Sequence, residues 1–190
     1  IWFGHDSGLE HFDGTTLTMH PVPIAGLQFR SVFGRPGFGA YAVYVDCPKC
    51  DSGRNLRSFV FELVPGMITE FNPTLVKGFL SPVSGVVTDS DDEEHRIFLF
   101  GYQRSNNRQS WHYGYTFFGP NSTSYPNNVI DAPATWAPLW DATSPTWPIP
   151  AWANPGTDVR VQSTIGVGHR WAGDRFVDMP SIDMGYGFVP

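Results

Sequence analysis

Short apolar runs, each closed off by Gly, Pro, Asn or Asp, recur from one end of this chain to the other. The candidates are residues 16–22, 27–33, 40–46, 57–64, 67–71, 74–80, 84–90, 96–103, 111–119 and 159–168. Val, Ile, Thr, Phe and Tyr fill them, the residues that suit a pleated, half-buried surface. Apolar stripes at helical spacing are almost absent, because Gly or Pro interrupts every long window. The pattern predicts an all-β chain: an antiparallel β-sandwich or closed barrel with long Pro- and Trp-rich loops and little helix.

One stretch, FVFELVPGMITEF, carries enough pattern to predict a register. With Pro65-Gly66 at the turn centre, paired residues have numbers that sum to 131. Phe59, Phe61, Leu63 and Ile68 then share one face, which reads as the core face. Glu62 falls opposite Thr69 on the other face, beside Val60, Val64 and Phe71. Glu70 lies on the Phe61 face, so the two glutamates point apart.

With 190 residues, 41% apolar and 15% aromatic, the chain has the material for one domain over residues 1–190 with a substantial core. Net charge is −6, and Lys49 and Lys77 are the only lysines. The arginines are scattered. Nucleic acid, which requires clustered cations, is therefore not an expected partner, nor is an anionic membrane surface. No apolar run approaches the roughly 20 residues of a membrane span. Ile1 follows no leader-like pattern and the chain stops at GYGFVP, so both ends are expected to be cut from a longer polypeptide.

Asp131–Gly156 packs four tryptophans and six prolines into one segment. Each proline removes a backbone donor and fixes φ, so neither a helix nor a central strand is expected there. A long loop with this much aromatic surface must bury it against its own domain, a second subunit or a ligand. Trp136, Trp140, Trp147 and Trp152 are accordingly the candidate binding or interface residues. Packing onto the domain, with part shared across a two-fold interface, is the expected arrangement. A row of exposed rings stacking on sugars is the alternative.

Catalytic chemistry finds little support in the residues. GxSxG is absent, and CDSGRN at 50–55 has only a faint likeness to a trypsin-type serine motif. A glycosidase needs two carboxylates about 5–10 Å apart. The register above turns Glu62 and Glu70 away from each other, and Glu93 and Glu94 sit in the acidic tip DSDDEE. No catalytic residue is nominated, and no cofactor is expected. His5 and His11, with Asp6, Glu10 and Asp13 nearby, match no common zinc spacing and read as solvated side chains of a polar terminal segment. His20, His95, His112 and His169 are isolated along the chain. Cys47 and Cys50 form a CPKC pair without a second ligand pair, leaving a local disulfide or two free thiols open. Asn121-Ser122-Thr123 is a glycosylation sequon that matters only in a secretory setting.

This helix-poor texture, rich in Pro, Gly and aromatics, together with the Trp-Pro segment 131–156, resembles the protruding domains of non-enveloped virus capsids. Within that group it resembles the capsid spike of astroviruses, particularly the avian kind. The resemblance implies a β spike on the virion surface that forms homodimers, attaches to a host-cell receptor of glycan or protein nature, and is bound by neutralising antibodies. It implies no catalysis. A secreted carbohydrate-binding module using the tryptophans, or a jelly-roll glycosidase, are the readings from other classes.

Overall fold

Strands account for every regular element described in the computed structural model. The structure describes residues 1–46, 57–71, 80–88, 96–104, 111–118, 130–131, 151–153, 158–162, 168–173 and 175–179. The strands form four antiparallel sheets. The chain is all-β.

The N-terminal sheet is a meander of β1 (Trp2–His5), β2 (Gly8–Phe12) and β3 (Leu17–Pro21). The second sheet runs β4 (Gln28–Arg35), β5 (Gly39–Asp46), β6 (Arg57–Val64) and β7 (Met67–Phe71) in sequence order. The third contains β8 (Leu80–Thr88), β9 (Arg96–Arg104), β10 (Trp111–Phe118) and β11 (Ile130–Asp131). The fourth contains β12 (Ala151–Ala153), β13 (Val159–Gln162), β14 (Gly168–Trp171) and β15 (Phe176–Asp178).

The β6–β7 hairpin adopts the register expected from its pattern. Val60 pairs with Phe71, Phe61 with Glu70, Glu62 with Thr69, Leu63 with Ile68 and Val64 with Met67. Pro65 supplies a preset φ and Gly66 a φ of 83°, a value that side chains other than glycine rarely tolerate. One part of the expectation needs correction: both faces of this sheet are core. Phe61 and Leu63 pack with Leu9, Leu27, Ala42 and Tyr44 on one side. Val60 packs with Tyr41 and Val43 against Val87, Ile97 and Leu99 on the other. Strand β5 explains this, since its near-continuous apolar run buries Tyr41 to Val45 whichever way each side chain points.

The same alternation joins the third sheet to the fourth. In β9, Ile97 and Leu99 face the second sheet, while Phe98 and Phe100 face the opposite way. The Phe98 ring meets Trp171 edge-on at 5.2 Å and Phe176 at 6.2 Å, and Phe100 meets Phe176 at 5.9 Å. Val159, Val161 and His169 are buried in that fourth sheet. Successive sheets are thus linked by three buried clusters.

Glycine makes one of these contacts possible. A Cβ on Gly85 of β8 would lie 2.4 Å from the Phe33 ring of β4, so the bare backbone is the socket that lets the second and third sheets approach. Pro82 is accommodated in β8 beside a register shift between Pro82 and Ser84, where a missing donor costs least.

Several elements depart from the expected strand map. The N-terminal segment is two strands rather than a solvated tail. The 84–90 candidate is part of a strand that begins at Leu80 and ends at Thr88. The Trp-Pro segment begins at the end of one strand, Ile130–Asp131, and contains another, Ala151–Ala153. β12 is an edge strand with Pro150 and Pro155 just outside it, which is how a proline-rich stretch can join a sheet.

Candidate interaction surface on the N-terminal sheet

The β1–β3 meander is built on two turns that its own side chains tie. In the first, Asp6 Oδ1 accepts a hydrogen bond from the Phe29 amide at 2.7 Å, anchoring the turn to the second sheet. The buried Tyr44 hydroxyl donates to the Gly8 carbonyl at 2.8 Å and lies 3.1 Å from that of His5. Burial, reinforced by the nearby Asp6 carboxylate, pushes the Tyr44 phenol up to about 12, so it remains a donor. In the second turn, Asp13 Oδ1 accepts from the amides of Thr15 and Thr16, each at 2.8 Å, and from the Thr15 hydroxyl at 2.9 Å. The Thr16 and then the Thr15 hydrogen bonds hold the Asp13 carboxyl down at about 2.

Register then decides what each face carries. Trp2 pairs with His11, and Leu9 with Gly4 and His20, all on the face turned to the second sheet. Leu9 is fully buried and Trp2 packs against the same cluster. The Trp2 ring lies 4.5 Å from the His11 ring and 5.3 Å from that of His20. A Cβ on Gly4 would lie 2.0 Å from the Phe29 ring, so this inner face also needs a bare position.

The outer face is different. The Ile1 amino group donates to the Phe12 carbonyl at 2.7 Å, the Phe12 amide donates to the Ile1 carbonyl at 2.8 Å, and Phe12 pairs with Leu17. Phe3, Glu10 and Met19 form the next row. Ile1 is 72% exposed, Phe3 50%, Leu17 53% and Met19 52%. Four large apolar side chains half or more in water on one sheet face form a surface of the kind that proteins use for binding. The carboxylate of Glu10 lies among them, 3.9 Å from His5 Nε2.

His5, Ser7 and Glu10 place an imidazole between a hydroxyl and a carboxylate. The Ser7 hydroxyl is 2.6 Å from His5 Nδ1, but the Glu10 contact is too long for a hydrogen bond. The imidazole is therefore not held as a triad base is held. His5 and His11 lie on opposite faces of the sheet, so they do not share a metal. Among the described residues, no group of three His, Cys, Asp or Glu side chains could hold one.

Trp136, Trp140 and Trp147, Cys47 and Cys50, the 89–94 tip and the 121–123 sequon lie outside the described residues. Trp152 is in β12, its backbone paired with Arg160. The outer-face residues were missed because short runs around an Asp-Ser turn read as polar terminus. The signal was there in the alternation of Ile1, Phe3 and His5 and of Leu17, Met19 and Pro21. His11 departs from the reading of a solvated side chain, since its ring lies against Trp2; His20 and His169, isolated along the chain, are brought by the fold against Trp2 and Asp178.

Compared with known protein families, curated proteins and solved structures, the chain matches none.

Proposed function

We propose that this chain is a recognition domain that acts by binding, and that its native setting is the protruding domain of a non-enveloped virus capsid. In that setting it stands on the virion surface as a homodimer, attaches to a host-cell receptor and presents antibody epitopes. The observation that supports binding is the exposed apolar outer face of β1–β3. The capsid setting rests on the resemblance in texture, above all on the Trp-Pro segment 131–156.

Association and attachment are separable, so both are measured. Sedimentation at micromolar concentration is expected to give a dimer, and labelled protein is expected to bind permissive host cells. Substituting Phe3→Asp together with Met19→Asp is expected to abolish at least one of the two. A strict monomer that binds no cell, or a double variant that behaves as the parent in both assays, would overturn the proposal.

A further inference from the structure

His169 is the one fully buried histidine among the described residues, with 0% of its surface exposed. Register places it on the inner face of the fourth sheet, between Val161 of β13 and Asp178 of β15. Trp171 and Phe176 share that face, and their rings pack on Phe98 and Phe100 of the third sheet. His169 Nδ1 lies 3.0 Å from Asp178 Oδ1, and the Asp178 side chain is 58% exposed. The imidazole is therefore inside the layer and its carboxylate partner is at the rim.

Around the ring, the described strands carry these groups. On the facing strand β8, Ser84, Val86 and Thr88 share the side of Phe98 and Phe100 and carry no charge. Arg96, paired with Thr88, is an ionised group on that side of β9, and it would repel an imidazolium. In β12, Ala151 and Ala153 are uncharged. In β13, Arg160 alternates away from Val159 and Val161 and is paired with Asp158 at 2.9 Å. Arg170 of β14 alternates outward and is exposed. Asp178 is the carboxylate that faces the ring, and solvent screens part of its attraction.

We propose that His169 is a pH-sensitive clasp between the third and fourth sheets. Its neutral imidazole, with Nδ1 lying against Asp178, seals the layer. Protonation in mild acid loosens the seal and uncovers Phe98, Phe100, Trp171 and Phe176. A hydronium ion from solvent gives its proton to Nε2, forming one N–H bond there and leaving water; no other bond is made or broken. The geometry agrees with the direction of titration: burial holds His169 below its ordinary 6.5, against the opposing pull of Asp178. A histidine depressed in the folded state contributes its full stability above the unfolded value. That contribution is lost as pH falls through the unfolded value toward the folded one. Asp13, held down at about 2, and Tyr41 and Tyr44, pushed up to about 12, titrate far from this window.

Amide exchange of the whole protein, corrected for intrinsic rates, tests the clasp between about pH 7 and about pH 5. Protection over 159–162 and 168–178 is expected to fall, by up to about tenfold per unit separating the folded and unfolded midpoints. Protection over 57–64 is expected to hold. In His169→Leu the pH-dependent part should vanish, and in Asp178→Asn it should deepen. NMR titration of the His169 ring in the unaltered protein keeps the proposal testable if a variant folds poorly, and its midpoint should lie below 6.5. A midpoint at or above that value, a uniform loss of protection in both regions, or an undiminished effect in His169→Leu would each sink the clasp.

Discussion

The two outer sheets solve the same problem in opposite ways. Each presses one face onto a sheet behind it. The N-terminal sheet is held by Leu9 and Trp2 and pinned by Tyr44 and Asp6 hydrogen bonds. The fourth sheet is held by an aromatic cluster with a histidine inside it. Their outward faces differ more. On the fourth sheet Asp158, Arg160 and Arg170 alternate outward, as a face left to water requires. On the N-terminal sheet Ile1, Phe3, Leu17 and Met19 do. An outer face is thus not dictated by being outer; the apolar one is of the kind that proteins use for binding.

Core truncations should break both sheets most. Phe61→Ala and Phe98→Ala empty fully buried volumes and are each expected to cost about 3–5 kcal/mol in urea unfolding. The comparison sharpens if local exchange shows Phe61→Ala loosening 1–21 first and Phe98→Ala loosening 168–178 first.

Tyr44→Phe comes next. It leaves the Gly8 carbonyl without the Tyr44 donor beneath the β1–β2 turn, and should cost about 1–3 kcal/mol. The loss should appear as faster exchange over β1–β2, with the fourth sheet unchanged. Equal loosening of both sheets would mean that the N-terminal sheet has no separate anchor.

Surface changes should be smaller in stability and larger in behaviour. Phe3→Asp with Met19→Asp should leave urea unfolding within about 0.5 kcal/mol per site. Association or cell attachment should nevertheless fail. Arg170→Asp on the fourth sheet should change neither, as judged by sedimentation and cell binding. If Arg170→Asp is the more disruptive, the two outer faces have been assigned the wrong roles.

Asp13→Ala should have the smallest effect, confined to faster exchange of the Thr15 and Thr16 amides. Because its carboxyl is held down at about 2, its contribution is complete above the ordinary 3.8 and is lost as pH falls from there toward 2. Acid titration of those amide signals checks it. A change already evident near neutrality would contradict this sign.

Legibility in the sequence follows the range of the interactions involved. The β6–β7 hairpin was readable to the residue, because pairing across a Pro-Gly turn depends on neighbours in the chain. β5 and β9 were readable as strands, but not as strands buried on both faces. A continuous apolar run does not say what lies above and below it. The candidate interaction surface was less legible still. Phe3 and Met19 are 16 positions apart, and only the meander brings them into one row with Glu10 between. His169 and Asp178 likewise meet through the β14–β15 pairing rather than through any motif.

The all-β character, the absence of clustered cations and the turn at Pro65-Gly66 were determined by the sequence alone. They depend on intrinsic propensity, charge count and backbone restriction, which act residue by residue. Which faces were buried, which apolar side chains stayed in water and which histidine lost its solvent were decided by the stacking of sheets. Burial is a property of what arrives from elsewhere in the chain, so alternation can divide residues into two faces without saying which face is covered.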